Sequence, residues 1–216
     1  MHLVIINGSP RVKKYSNTDK IITSFTKGFC EKGNTYELYT ISDRSEWEKA
    51  RNAFEKNTDI LIAIPLYVEN IPGILLEFLE TLPVKKEAGA KIYFILQSGF
   101  AEGCQLRCGE AFLENLPGYL GCEYGGTLVK GDNFSIRIME GDNLARILAP
   151  YEKMGRLFAE KKGFDNEEAK AFTGPEVFPK PIQFLLQFMF KTFAKSSFKK
   201  AAKSWGCTKS LKFKPY

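Results

Sequence analysis

Apolar and polar positions along this chain follow two patterns that alternate. Short apolar runs, rich in β-branched residues, predict five β-strands over residues 3–7, 35–41, 59–65, 90–98 and 124–129. Apolar residues at helical spacing predict helices over residues 18–31, 46–56, 73–82, 105–116 and 143–162. This alternation favours a parallel sheet with helices on both faces, because each crossover between parallel strands needs a helix to return the chain.

The composition changes after the last of these helices. Segment 168–181 carries Gly174 and three prolines, and this density of glycine and proline predicts a linker. We therefore expect one α/β domain over residues 1–165, and a linker with a basic amphipathic extension over residues 166–216. The length of 216 residues and the hydrophobic content of 44% suffice for one buried core.

The formal charge of +6 is unevenly distributed. Residues 176–216 contain nine lysines against one acidic residue, Glu176, and carry +8, whereas residues 1–175 carry −2. The basic character therefore belongs to the C-terminal extension. A near-neutral domain does not provide a basic nucleic-acid-binding surface, so we expect no nucleic-acid partner.

Cysteine and histidine usage narrows the chemistry. The five cysteines show no disulfide framework, and Cys104, Cys108 and Cys122 lack the spacing of a four-cysteine cluster, so we expect no metal site. His2 is the only histidine, which removes most Ser–His–Asp, Cys–His and zinc-hydrolase designs. The N-terminus shows no signal-peptide pattern, and we expect a cytoplasmic protein.

The segment after the first predicted strand, "NGSPRVKKYSNT", is dense in hydrogen-bonding groups and leads into a helix. Ligands of open parallel sheets bind beyond the carboxyl ends of the strands, where the free N–H groups of a helix N-terminus favour an anion. Donors for a phosphate are Ser9, Ser16, Asn17 and Thr18. Arg11 either adds a guanidinium or points to solvent.

Two alternatives bear on this loop. It has neither the Gly-x4-Gly-Lys-Ser/Thr pattern of a P-loop nor the G-x-G-x-x-G pattern of a dinucleotide-binding turn. Ser16 or Asn17 would also serve merely to cap the helix. Capping accounts for one such residue, whereas the loop contains six polar or turn-forming residues, so we favour a phosphate site.

Three segments together resemble the flavodoxin-like, NADPH-dependent FMN reductase family. They are "NGSPR" with the following "SNT", "IPLYVENIPGILLEFLE" at residues 64–80, and "QSGFAEG" at residues 97–103. The similarity follows the order of elements over residues 1–162. It implies a flavodoxin-like three-layer α/β fold, with a five-stranded parallel sheet in the order 2-1-3-4-5, and FMN as the cofactor.

The resemblance also implies which residues bind FMN. Its phosphate would be held by Ser9, Arg11, Ser16, Asn17 and Thr18. Its ribityl chain and isoalloxazine would lie along Pro65, Leu66, Tyr67, Val68, Glu69 and Asn70. The other edge of the ring would be flanked by Gln97, Ser98, Gly99 and Phe100. Taken alone, Tyr67 is equally a core tyrosine, and Ser98 with Gly99 is equally an ordinary turn at a strand end.

The implied activity is that of an enzyme in which the flavin, and no protein side chain, carries the chemistry. NADPH or NADH would reduce FMN, and the electrons would pass to a small acceptor: a quinone, a free flavin, an azo or nitro compound, or a metal ion. Family members are typically dimers, so a homodimer is expected. Two alternatives stay open: a flavodoxin-type electron carrier without turnover of its own, and a binding protein that kept the fold and lost the cofactor.

The C-terminal extension contains an apolar stripe at helical spacing, with lysines collected towards its later part. The stripe consists of Ile182, Leu185, Leu186, Met189 and Phe193. We expect this helix to pack on its own domain or on a partner subunit. The alternative is a weak contact with an anionic membrane surface, since residues 182–194 are too few to span a bilayer.

Overall fold

The structure is a computed structural model that describes residues 1–67, 69–86, 88–204, 206–210 and 213–214. The chain divides into two compact units, Met1–Glu176 and Val177–Tyr216. The larger unit contains all five predicted strands, and the smaller one contains the basic extension.

The larger unit is built on a parallel sheet with the strand order β2-β1-β3-β4-β5. The strands are β1 (His2–Asn7), β2 (Thr35–Thr40), β3 (Asp59–Pro65), β4 (Lys91–Gln97) and β5 (Glu123–Lys130). The order reverses at β1, because the chain first moves outward to β2 and then returns to the other side of β1 for β3. The flavodoxin-like fold class is therefore confirmed, including its strand order.

Helices cover both faces of this sheet. They are α1 (Asn17–Cys30), α2 (Trp47–Lys56), α3 (Gly73–Leu79), α4 (Arg107–Tyr119), α5 (Gly141–Lys161) and α6 (Glu167–Phe172). On one face α1 packs on α5, where the rings of Phe25 and Phe158 meet edge to face with centroids 5.6 Å apart. The other face carries α2, α3 and α4. Successive side chains of β1 point to opposite faces of the sheet. Ile5 packs in the core on the face covered by α1 and α5, and Ile6 packs in the core on the face covered by α2, α3 and α4.

Contrary to the prediction, the fourth helix does not end at residue 116. Helix α4 includes Pro117 and runs on to Tyr119. Proline removes one hydrogen bond of the ladder, the one that an N–H at position 117 would make to the carbonyl of Leu113, and only two residues of α4 follow it. The carbonyl of Pro117 accepts from the N–H groups of Leu120 and Cys122, both at 2.9 Å, and these bonds close the last turn around Gly121 (φ +68°), where the chain changes direction.

The linker begins later than the sequence suggests. Residues Glu167–Phe172 form α6, whose N-cap Asn166 accepts a hydrogen bond from the N–H of Ala169 at 2.9 Å. Ala169 is buried in the core beneath α5, and Glu176 pairs with Arg107 of α4. These contacts tie the segment to the sheet domain, so the larger unit extends to Glu176.

The smaller unit is helical. Helix α7 (Lys180–Met189) continues through a π-helical turn, Phe190–Ala194, into α8 (Lys195–Ser204). At its start the side chain of Gln183 donates to the carbonyl of Phe178 at 2.7 Å. Among the helices that the structure describes, none is long and apolar enough to cross a membrane.

Candidate functional site

A cavity of about 290 Å³ opens at the carboxyl ends of the strands, beside the point where the strand order reverses. It lies where ligands of doubly wound sheets bind. The loops after β1, β3, β4 and β5 all contribute to it. Its lining residues are Ser9, Arg11, Asn17, Thr18, Pro65, Leu66, Tyr67, Gln97, Ser98, Gly99, Phe100, Asn133, Phe134 and Arg137.

The loop after β1 is held in place by short-range hydrogen bonds. The N–H of Gly8 donates to the carbonyl of Ala63 on β3 at 2.8 Å. The N–H of Ser9 donates to Oδ1 of Asn7 at 3.1 Å, and the N–H of Arg11 donates to Oγ of Ser9 at 3.3 Å. The loop is thus turned back over the sheet edge, and Ser9 and Arg11 reach the cavity.

Helix α1 begins at this loop and divides the expected phosphate ligands into two groups. Ser16 is its N-cap: it is buried, and its Oγ accepts from the N–H of Asp19 at 3.2 Å. The capping alternative therefore describes Ser16, which does not line the cavity. Asn17 and Thr18, the first two residues of the helix, do line it. The first turn of α1 has backbone N–H groups without helical acceptors, which favours an anion beside these two side chains.

Two hydrogen bonds connect this first turn to distant loops. The amide of Gln97 donates to Oγ1 of Thr18 at 3.3 Å, and the amide of Asn17 donates to the carbonyl of Asn133 at 2.9 Å. Because Thr18 accepts from Gln97, its own hydroxyl proton is free for another acceptor. The cavity floor is thus assembled from segments 79 and 116 residues apart.

The loop after β3 turns sharply beside the cavity. The backbone groups of Tyr67 and Asn70 bond to each other at 2.9 and 3.1 Å, and the intervening Glu69 has a left-handed φ of +64°. Such a conformation is uncommon for a residue other than glycine, asparagine or aspartate. Of the expected ligands here, Pro65, Leu66 and Tyr67 line the cavity, whereas Glu69 and Asn70 shape the turn. Val68 lies outside the described residues.

Aromatic side chains also line the cavity. Tyr67, Phe100 and Phe134 come from three different loops and expose 42%, 61% and 62% of their surface. Tyr67 is therefore not a core tyrosine. The turn after β4 is held by Ser98, whose Oγ accepts from the N–H of Phe100 at 3.1 Å. Half-exposed rings around a cavity are suited to covering a flat aromatic ligand.

The loop after β5 contributes three residues that the sequence did not single out: Asn133, Phe134 and Arg137. It enters a 3₁₀ turn, Asn133–Arg137, from Asp132, which has a left-handed φ of +59°. Asn133 is buried, and its Oδ1 accepts from the hydroxyl of Tyr151 at 2.8 Å. Burial raises the pKa of Tyr151. The glycine and asparagine of "KGDNF" follow a predicted strand, which is a general indication of a ligand-binding loop. No motif, however, identified these particular residues.

Positive charge gathers at the end of the cavity near α1. A second cavity, of about 690 Å³, shares Arg11, Asn17 and Arg137 with the first and adds Lys14 and Lys20. Within the described residues, neither guanidinium has an ion-pair partner, and no carboxylate lines either cavity. Arg11 and Arg137 are therefore available for an anionic ligand.

Asp19 is the acidic group nearest to this region in the chain. It lies in the first turn of α1 and exposes only 8% of its surface. Burial raises the pKa of its carboxyl, while the charge of Lys13 and the amide of Asn7 act in the opposite direction. The net effect is a raised pKa, so the ionised carboxylate is the disfavoured form in this buried position.

Thiols and histidine lie outside the cavity lining. All five cysteines are free, and the thiol of Cys108 donates to the carbonyl of Glu69 at 3.3 Å. In the part of the chain that the structure describes, no group of three His, Cys, Asp or Glu side chains is placed to hold a metal ion. His2 bonds to Oγ1 of Thr35 at the opposite ends of β1 and β2 from the cavity.

Comparison with known proteins adds relatives of the same fold. No protein-family model matches the chain, and no curated protein matches its sequence. An FMN-dependent NADH-azoreductase from Bacillus anthracis, solved in complex with FMN, is 17% identical with a TM-score of 0.53, over 74% of this chain and 100% of that one. An NAD(P)H:quinone oxidoreductase from Methanothermobacter marburgensis is 14% identical with a TM-score of 0.55, over 72% and 98%.

A third solved structure extends over more of this chain. An NADH:FMN oxidoreductase in its apo form is 17% identical with a TM-score of 0.55, and the match covers 84% of this chain and 98% of that one. At these identities the similarity establishes the shared fold.

Proposed function

We propose that this protein is an FMN-dependent oxidoreductase, which takes electrons from NADPH or NADH and passes them to a small acceptor. One observation carries the proposal. A single cavity at the reversal point of a flavodoxin-like sheet is lined both by phosphate-type donors and by aromatic rings. The fold shared with an azoreductase and a quinone oxidoreductase supports it.

The residues of the cavity fit FMN. Thr18 and Asn17, the N–H groups of the first turn of α1 and the guanidinium of Arg11 would hold the phosphate. We add Arg137 to this set, because it lines both cavities together with Arg11. Ser16 acts indirectly, by capping the helix that presents these groups.

The isoalloxazine would lie beside the aromatic rings of the cavity. Pro65, Leu66 and Tyr67 would border it from the loop after β3, and Ser98, Gly99 and Phe100 from the loop after β4. The exposed ring of Phe134 would add a further aromatic surface. Glu69 and Asn70 would support the ring from behind through the turn that they form, rather than by direct contact.

Bound FMN supplies two-electron chemistry between a nicotinamide and an acceptor. The cavity residues would bind and orient the ring, and the exposed side chains of Tyr67 and Phe100 would border its accessible side. A nicotinamide, and then a flat acceptor such as a quinone or an azo compound, would use that same side. We therefore expect ping-pong kinetics.

Titration and turnover together test the proposal. Adding FMN to the purified protein should quench flavin fluorescence with one site per chain, and riboflavin should bind more weakly because it lacks the phosphate. NADPH or NADH oxidation should then depend on a quinone or azo dye. FMN binding without turnover would identify an electron carrier, and absence of FMN binding would identify a protein that kept only the fold.

Three finer points stay predictions. The homodimer can be checked by light scattering on the FMN-loaded protein. The preference between NADPH and NADH is given by the ratio of their kcat/KM values. The acceptor is identified by comparing quinones, free flavins, azo and nitro compounds and ferric complexes under the same conditions.

A further inference from the structure

The proposed oxidoreductase activity does not account for the composition of the C-terminal unit, Val177–Tyr216. It contains nine lysines and no Asp, Glu or Arg, and thus carries a formal charge of +9. The remaining 22 basic and 25 acidic residues leave Met1–Glu176 at −3. We propose that this unit binds the surface of a membrane containing anionic lipid.

Large apolar side chains of this unit are exposed. No residue of α7 is buried. The exposed large apolar residues of α7 and the following position are Phe184 (74%), Phe190 (61%), Leu185 (55%), Phe188 (55%), Met189 (46%) and Ile182 (43%). Contiguous apolar surface of this kind normally marks an interface, because leaving it in water is unfavourable.

Polar side chains form one row along the same helical segment. Every fourth position from 183 to 203 is a glutamine or a lysine: Gln183, Gln187, Lys191, Lys195, Lys199 and Lys203. Residues four apart lie on the same side of a helix, so this row gives the segment a polar side that winds slowly around its axis. The other positions of α7 are almost entirely apolar. A helix with a wide apolar side and a lysine row is suited to lying in a membrane interface.

Charge decides what covers the apolar side. A second copy of this unit would bring nine further lysines and no carboxylate, so like charges would meet across the contact. An anionic bilayer offers the opposite charge at its surface and an apolar layer directly beneath it. Lysines can keep their ammonium groups at that surface while their stems cover apolar area.

Vesicle flotation with the full chain tests this proposal. The protein should float with vesicles of phosphatidylcholine mixed with phosphatidylglycerol and remain free with phosphatidylcholine alone. Binding should weaken as salt is added, since it relies on surface charge. Changing Lys191, Lys195, Lys199 and Lys203 together to Gln should lower the partition constant roughly 600-fold, at about fivefold per lysine.

A matched control distinguishes the effect of the lysine row from the effect of total charge. Lys27, Lys56, Lys153 and Lys161 are exposed in the larger unit, and their change to Gln removes the same charge but should leave vesicle binding nearly unaltered. A second variant, Phe184→Ser with Phe188→Ser, should also lose binding. FMN affinity, unchanged in all three variants, would show that the larger unit is folded.

Two results would overturn the proposal. One is equal partition into neutral and anionic vesicles, or into neither. The other is a parent protein that is a dimer and does not bind vesicles, and whose dimer dissociates in the Phe184→Ser, Phe188→Ser variant. A second copy of the chain would then be the partner of the apolar side. Neither result depends on whether the protein oxidises NADPH.

Discussion

Gln97, the last residue of β4, donates a hydrogen bond from Nε2 to Oγ1 of Thr18 in the first turn of α1, at 3.3 Å. Both side chains are almost fully buried. The bond leaves the hydroxyl proton of Thr18 free to be donated into the cavity. It thereby connects the loop that would flank the flavin ring to the helix end that would hold its phosphate.

Replacing this hydroxyl should weaken FMN binding. We expect Thr18→Val to lower the affinity ~10- to 100-fold, since a hydrogen bond to a charged group contributes about 1.5–3 kcal/mol. Thr18→Ser should restore most of it. Thr23→Val removes a hydroxyl from the same helix that bonds to the carbonyl of Asp19, and serves as the control. Fluorescence titration measures all three, and equal affinity of Thr18→Val and parent would contradict the placement.

Arg137 should discriminate between FMN and riboflavin. We expect Arg137→Gln to reduce FMN affinity roughly tenfold and to leave riboflavin affinity unchanged, because only FMN carries a phosphate for the guanidinium. Arg146→Gln is the control: this exposed arginine of α5 also has no ion-pair partner within the described residues, but it does not line the cavity. A parallel loss of riboflavin affinity would show that Arg137 supports the fold of the loop instead.

Asp19→Asn should stabilise the protein at neutral pH. Burial raises the pKa of Asp19 in the folded state above its ordinary value of 3.8. Between the unfolded and folded pKa values the native state then binds more protons, so the free energy of unfolding falls as pH rises through that window. Asparagine carries no such penalty.

We therefore expect Asp19→Asn to melt above the parent at pH 7, with a gap that narrows as pH falls towards 3.8. Asp142→Asn, an exposed carboxyl in the first turn of α5, should not share the gain. Thermal melts of the cofactor-free proteins between mildly acidic and neutral pH measure the difference. A lower melting temperature for Asp19→Asn at pH 7 would mean that its charge is stabilised by the helix N-terminus instead.

Gly131→Ala should separate two loops of the cavity. A Cβ atom at Gly131 would lie 2.2 Å from the carbonyl oxygen of Phe100, so the loops after β4 and β5 would have to move apart. Overpacking of this kind costs about 1–3 kcal/mol, and we expect a lower melting temperature together with weaker FMN binding. Gly118→Ala, where a Cβ meets nothing within 4 Å, is the control. Unchanged FMN affinity in Gly131→Ala would show that the cavity does not need this close packing.

The cysteines should be dispensable for electron transfer. Changing Cys104, Cys108 and Cys122 together to Ser should keep NADPH oxidation within about twofold, because the proposed chemistry resides in FMN. A serine at position 108 can replace the thiol that donates to Glu69. Stoichiometric iron or zinc in the parent protein, absent from the variant by elemental analysis, would contradict this prediction.

Local patterns in the chain were sufficient for the fold and for part of the site. The strand at 59–65 was predicted to the residue, because a central parallel strand is buried on both faces and needs an uninterrupted apolar run. The donor-rich loop before α1 likewise predicts a ligand site, because glycine, serine and asparagine after a strand form turns, cap helices and bind anions. Those properties depend on residues close together in sequence.

The division of labour within the site depends on contacts between distant segments. Sequence reasoning could not tell that Ser16 caps the helix while Thr18 faces the cavity, because the two hydroxyls differ only in their position relative to the first helical turn. It missed Asn133 and Arg137 because they reach the cavity only after α1 and the loop after β5 have packed together, through a hydrogen bond spanning 116 residues. A short-range sequence pattern cannot predict such a bond, because the two partners come within reach only after the sheet has formed and the carboxyl ends of its strands lie side by side.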